Sequence, residues 1–201
     1  MTQGHAVRRT QAERTAETRR RVLEAAAALV AAHGAHAVSL AAVGHAAGYS
    51  RGIVNHHFGS KGRLLEELIR YTQQVDAPSD ASTGLGRLIQ FIEAYLGGMR
   101  ERSPRSEAFL KMWAESAGAD PLLAPLFAER DAAFRDHIGG LIRDGVNDGS
   151  IGDTVDPSVA AVAIIGLLRG TAMMLFSTAR DIPVAEIAAE VARGVERSVA
   201  P

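Results

Sequence analysis

Two short runs in this chain carry residue types whose spacing could do chemistry. Gly48-Tyr49-Ser50-Arg51-Gly52 has the spacing of the nucleophile elbow, in which a sharp strand-to-helix turn exposes a serine hydroxyl. That reading needs a core strand before the serine. Val43-Gly44-His45-Ala46-Ala47 cannot supply one, so Ser50 fits a helix N-cap better. The second run is His56-His57. Adjacent helical positions point about 100° apart, so the two imidazoles cannot close on one ion as an i, i+4 pair could. The chain has no cysteine, which excludes disulfides, thiolate metal sites and thiol redox sensing. The sequence therefore predicts no catalytic residue, no metal site and no cofactor.

The same residues make better sense as elements than as a reaction centre. Ser39 can cap a first short helix whose Leu40, Val43 and Ala47 share a face, Gly48 supplies a left-handed turn residue, and Ser50 caps a second helix ending near Phe58. Two short helices hinged at a glycine are the format of a helix-turn-helix, which places its second helix in a DNA major groove. The N-terminal end of that helix makes Arg51, Gly52, Ile53 and Asn55 the candidates for base edges, with Gly52 permitting close approach and Arg51 suited to guanine or to phosphate. Ser39, Ser50 and Lys61 are candidates for phosphate, because helix N-termini and an ammonium attract anions whatever the sequence.

With the helix before it, this stretch closely resembles the tetracycline-repressor (TetR) family of bacterial regulators. The resemblance rests on Thr18-Arg19, the helix Val22 to His33, Gly34, Ser39, Val43-Gly44, Ala47-Gly48-Tyr49-Ser50, Val54-Asn55-His56-His57-Phe58 and Ser60-Lys61, over residues 15 to 70. It implies a phosphate contact for one of the two histidines, for which His56 is favoured, and an effector pocket in the C-terminal half. The chain departs from the family pattern at three positions. Gly44 replaces Ala, at a cost of roughly 1 kcal/mol of helix propensity; Tyr49 replaces a smaller Val; Asn55 replaces a backbone-contacting Tyr and could instead pair with adenine.

Charge agrees with a nucleic-acid end. The 201 residues carry a net charge of -1, but residues 1 to 65 hold 9 Lys+Arg against 3 Asp+Glu, a balance of +6, and the remainder holds 13 against 20, a balance of -7. A basic head on an acidic body is what phosphate binding by one end predicts. At 47% hydrophobic and 22% charged, the composition is that of a globular protein with one large or two small cores. The N-terminus, with Arg8, Arg9 and Arg14, does not read as a secretory signal, and the apolar run Val159 to Phe176 holds Arg169 mid-way and falls short of the roughly 20 residues of a spanning helix. The expectation is a cytoplasmic protein with no membrane partner and with a buried helix over that run.

The rest of the pattern predicts an all-α chain of about nine helices. Residues 1–14 read as a mobile basic arm, 15–75 as the helix-turn-helix domain, and 76–201 as an effector-binding and dimerisation domain. Asp120-Pro121 and Asp156-Pro157 read as cap-plus-first-turn pairs, Pro125 as a kink or restart, and Gly145 and Gly149 as helix ends. The candidates for contact with a small apolar effector are Phe109, Met112, Trp113, Glu115, Phe134, His137, Arg169 and Met173, large apolar or aromatic residues with a few polar neighbours. The last two helices are rich in Ala and Gly and are expected to pair with their copies in a homodimer, so that the partners are a double-stranded DNA operator, an effector and a second copy. A DNA-binding or protein-recruiting module of the same fold without an effector is the alternative.

Overall fold

The computed structural model describes residues 10–99, 102–118, 120–177 and 182–201. Among the described residues there are nine α-helices and no strand: α1 Gln11–His33, α2 Leu40–Ala47, α3 Arg51–Phe58, α4 Lys61–Thr72, α5 Gly84–Gly97, α6 Pro104–Ala117, α7 Leu123–Asp148, α8 Pro157–Ser177 and α9 Val184–Val199.

The first helix begins earlier than the apolar period indicates. Thr10 and Glu13 form a reciprocal capping box, with Glu13 N donating to Thr10 Oγ1 at 3.2 Å and Thr10 N donating to Glu13 Oε2 at 2.7 Å. Residues 11–14, expected in a mobile arm, are therefore the first turn of α1. Residues 1–9 of that arm lie outside the described residues. The helix start at Pro121 is corrected as well. Asp120 Oδ1 accepts from the N–H groups of Leu122 and Leu123, both at 2.9 Å, and α7 starts at Leu123. Pro125 then falls in the first turn, where a missing N–H costs nothing, and α7 runs through it without a break. At the other end Gly149 takes a left-handed conformation at φ 77° and ends α7, whereas Gly145 lies inside the helix.

In the N-terminal third, Val22, Ala26 and Val30 of α1 meet Val43 of α2, Val54 and Phe58 of α3, and Leu64, Leu65 and Leu68 of α4, all fully or nearly fully buried. Burying apolar side chains of this size, at roughly 1.5–3 kcal/mol each, is what holds helices of eight residues that would be marginal alone. In the remainder α5 packs between α7 and α9, and α8 lies along α7. The two parts share one core: α1 packs extensively along α6, and the buried residues form a single connected cluster.

The expectation of a buried helix over Val159 to Phe176 holds for one face only. Ala161, Ile164, Ile165, Leu168, Ala172 and Leu175 are buried, while Val159, Val162, Leu167 and Met174 are 65%, 57%, 44% and 61% exposed. At 21 residues with a mean hydropathy of 2.0 over its most apolar window, α8 is long and apolar enough to cross a membrane by length and composition. Its Arg169, however, is only 5% exposed and is ion-paired to Asp131 of α7 at 2.5 Å, as in a helix that packs within a globular domain.

Candidate functional site

The helix-turn-helix is built by three serine caps and one left-handed glycine. Ser39, Ser50 and Ser60 accept from the backbone N–H three residues on, at 3.0, 3.3 and 3.2 Å, and so start α2, α3 and α4. Gly48 at φ 76°, ψ 25° closes α2 in the left-handed region that a residue with a Cβ rarely adopts. The unusual Gly44 has a packing reason. A Cβ there would stand 2.9 Å from the Tyr49 carbonyl oxygen and 3.3 Å from Val54 Cγ2, so glycine lets the turn and α3 close onto α2. The propensity lost in α2 is exchanged for that close approach.

Val54 and Phe58, one turn apart, anchor α3 in the core, and this leaves Arg51, Gly52, Ile53, Asn55 and His56 exposed. Among the described residues the side chains of Arg51 and Asn55 have no hydrogen-bond or ion-pair partner, and Ile53 is 41% exposed. The far end of α3 is clamped from α1: Arg19 donates to the His57 carbonyl oxygen at 2.9 Å, ion-pairs with Glu67 of α4, and stacks 4.9 Å above the Phe58 ring. Lys61 Nζ lies 3.5 Å from the His36 carbonyl oxygen, which places the start of α4 beside the loop leading to Ser39. Arg20 and Arg21 spend their charge on Glu17 and Glu24, so the unpaired basic groups of this part, among the described residues, are Arg51, Lys61 and Arg63. Burial, and then the charges of His56 and Arg19, hold the His57 imidazole below its ordinary 6.5.

A cavity of about 740 Å³ opens between the C-terminal ends of α4 and α5, the start of α6 and the middle of α7. Of the residues expected at an effector, Phe109, Phe134 and His137 line it. Met112, Trp113, Glu115, Arg169 and Met173 do not, and each has a structural occupation. Met112 is fully buried in the core, and Met173 packs against it. Arg169 lies 5.1 Å above the Trp113 ring and makes two hydrogen bonds to Asp131, at 2.9 and 2.5 Å. Glu115 faces away from the cavity and accepts the Ala35 backbone N–H at 3.3 and 3.1 Å.

The wall residues that the apolar period does not reveal are polar or come from connections: Arg105, Arg130, and the segment Thr72 to Asp76. The rings of Phe91, Tyr95, Phe134 and His137 form an aromatic cluster in the wall, with Phe91 5.8 Å from Phe134 and 5.1 Å from His137, and Tyr95 stacked on Phe134 at 6.0 Å. Burial pushes the pKa of the Tyr95 hydroxyl up to about 12, against the opposing pull of the neighbouring Arg169. Among the described residues no group of acids and histidines could hold a metal ion.

A glycine-hinged helix pair with unpaired basic and polar groups on its second helix, carried on a helical body, defines the class of helix-turn-helix DNA-binding proteins. Comparison with known proteins specifies it further. Residues 22–68 match the profile of bacterial regulatory proteins of the tetR family, and residues 85–200 match that of the BetI-type transcriptional repressor C-terminal domain. The chain belongs to the TetR family of transcriptional regulators. The HTH-type transcriptional regulator BetI of Vibrio atlanticus is 34% identical over 93 residues, a match spanning 41% of this chain and 46% of that protein. Among solved structures, a TetR-family regulator from Rhodococcus sp. superposes with a TM-score of 0.80 at 22% identity, covering 92% of this chain and 100% of the other. A regulator from Saccharomonospora viridis, in complex with choline, superposes with a TM-score of 0.72 at 23% identity, covering 92% and 99%. These likenesses bear out the all-α architecture with an N-terminal helix-turn-helix.

Proposed function

We propose that this regulator is a homodimeric repressor that binds a near-palindromic operator through α3 and releases it when a small molecule fills the cavity. The observation that carries the reading is that two helices each have one end in the cavity wall and the other at the DNA-reading part. In α4, Thr72 lines the cavity and Lys61 starts the helix beside the loop before Ser39. In α6, Arg105, Ser106 and Phe109 line the cavity, Lys111 Nζ bonds the Ala31 carbonyl oxygen at the end of α1, and Glu115 holds Ala35 just before α2. A ligand that changes the packing at one end of these helices acts at the other.

Arg51, Gly52, Ile53 and Asn55 contact base edges, while Ser39, Ser50, His56 and Lys61 hold phosphates. The half-exposed apolar side chains of α8 support dimerisation through α8 and α9: Val162, Leu167 and Met174 would otherwise stay in water. Because the two readers must meet successive major grooves about 34 Å apart, a small change in their separation lowers operator affinity steeply. Repression agrees with the match to the BetI-type transcriptional repressor C-terminal domain, and the cell compartment implied is the bacterial cytoplasm, where the operator lies. A cavity of about 740 Å³ is within the range of roughly 300–1,000 Å³ that takes small ligands, and so disfavours an effector-independent module.

Two measurements test this. Footprinting on DNA selected from a random pool should protect an inverted repeat, and protection of no such repeat would overturn the operator reading. Light scattering should give a dimer at micromolar concentration, and a Val162→Glu/Met174→Glu variant should be a monomer with lost operator affinity; a monomeric wild type would remove the dimer.

A further inference from the structure

Resting on the ligand-responsive reading, we propose that the cavity takes an amphipathic anion, with an oxyanion head held by Arg105 and Arg130 and an apolar body against the rings of Phe91, Phe109 and Phe134. The argument starts from unspent hydrogen-bond donors. A guanidinium has five N–H donors. Arg105 uses one terminal nitrogen on the Gln74 carbonyl oxygen at 2.7 Å and lies 5.0 Å above the Tyr71 ring; Arg130 uses Nε on Gln73 Oε1 at 2.7 Å. The two side chains therefore converge on neighbouring residues at the end of α4, with the rest of each fork unused.

Three other partly or fully buried arginines are charge-compensated: Arg19 by Glu67, Arg87 by Asp144, Arg169 by Asp131. Among the described residues Arg105 and Arg130 have no carboxylate partner within ion-pair reach, although both line the cavity. The one acidic residue of the described wall is Asp76, which is exposed. The remaining polar wall groups do not offset this. Ser106 and Thr72 donate their hydroxyls to the carbonyl oxygens of Gly98 and Ile69.

A wall with surplus positive charge and donors, backed by aromatic rings, matches a ligand that is anionic at one end and apolar at the other. A quaternary ammonium would gain from the rings but would be repelled by two uncompensated guanidinium groups. A carboxylate and a phosphate share the required chemistry.

Calorimetric titration of the full chain, without DNA, against dodecanoate, dodecyl phosphate, dodecanol and choline tests the proposal. Dodecanoate or dodecyl phosphate should bind at least about tenfold more tightly than dodecanol, with choline weakest, as charge-assisted bonds to the head group require. The order of the two anions tells a planar carboxylate from a phosphate. In Arg105→Gln/Arg130→Gln the anion affinity should fall to the dodecanol level while dodecanol binding is unchanged, and Arg105→Lys/Arg130→Lys should restore part of it. Choline binding more tightly than both anions, or no anion preference in the wild type, overturns the proposal, and the wild-type ranking decides even if a variant does not fold. Operator release is measured separately by anisotropy of labelled DNA. Anion binding that leaves operator affinity unchanged keeps the ligand class and rejects the effector role; release by choline alone does the reverse.

Discussion

The Glu115 carboxylate accepts the backbone N–H of Ala35 with both oxygens, at 3.3 and 3.1 Å, from 80 residues away in the chain. Ala35 is nearly fully buried in the short turn between α1 and α2, so this N–H has no solvent to turn to. Gly34 makes room for the contact: a Cβ there would stand 2.7 Å from Glu115 Oε1. The carboxylate is therefore a strut between the body and the DNA reader. Replacing it with alanine orphans the N–H and should cost about 1 kcal/mol or more of stability. Its more specific effect is on coupling. In Glu115→Ala the affinity of the cavity for its ligand should stay within about twofold of wild type, while the ligand-induced change in operator affinity shrinks. Parallel calorimetry and DNA anisotropy read the two quantities, and an unchanged coupling ratio would rule out the strut.

The start of α5 is held to α7 by an approach that only glycine permits. A Cβ on Gly84 would fall 2.1 Å from Gly145 N, whereas one on Gly145 would meet the Ile151 side chain at 2.6 Å. Asp148 Oδ2 accepts from Gly84 N at 2.7 Å and Ser150 Oγ from Leu85 N at 3.2 Å, so the end of α7 caps α5. Backbone cannot shift as a side chain can. Gly84→Ala should destabilise by about 3 kcal/mol or more and Gly145→Ala by less, near the usual 1–3 kcal/mol of overpacking. Urea denaturation of the two variants gives the order, and equal losses would contradict the backbone contact.

Contacts that hold phosphate and contacts that read bases differ in their response to salt and to sequence. Among the described residues Lys61 has a single weak side-chain hydrogen bond, and it lies at a helix start, so Lys61→Ala should weaken binding to all DNA alike and reduce the salt slope by about one unit per half-site. The Asn55 side chain is exposed on α3 with no partner among the described residues, so Asn55→Ala should change base preference, by about 1–3 kcal/mol at one position of the half-site. Anisotropy titrations at several salt concentrations, on the selected operator and its single-base variants, separate the two. An equal loss on every sequence from both variants would refute the division.

The reader was legible in the sequence because its chemistry is local. Ser39, Gly48, Ser50 and Ser60 act within four residues of themselves, and a local rule needs no knowledge of the rest of the chain. The early start of α1 was equally local, yet its Thr10-Glu13 box precedes the apolar period and so escapes a search by periodicity. The cavity was less legible. Apolar stripes single out Met112 and Met173, which fill core space, and cannot tell them from Phe109 and Phe134, which border empty space. Polar residues near a stripe are ambiguous in the same way. Glu115 and Arg169 find partners on distant segments, Ala35 and Asp131, and Arg105 and Arg130 find no carboxylate among the described residues; only the packing of α4, α6, α7 and α8 decides which.

The reading helix should also carry a pH dependence, with a sign fixed by His57. Burial first, then the neighbouring His56 and Arg19, depress its pKa below the ordinary 6.5, so the folded chain binds a proton there less readily than the unfolded chain. Stability from this group is complete above 6.5 and is lost as pH falls from 6.5 through the folded value, because the unfolded state then binds more protons. His57 ends α3 beside Phe58, and its carbonyl oxygen is the one Arg19 holds, so protonation loads the join between α1, α3 and α4. Histidine-selective NMR on the free protein should give His57 a midpoint below 6.5, and His57→Gln should flatten the fall in denaturation midpoint between about pH 7 and pH 5. A midpoint at or above 6.5 would mean that the helix end is open to water and that Arg19 does not press on the ring.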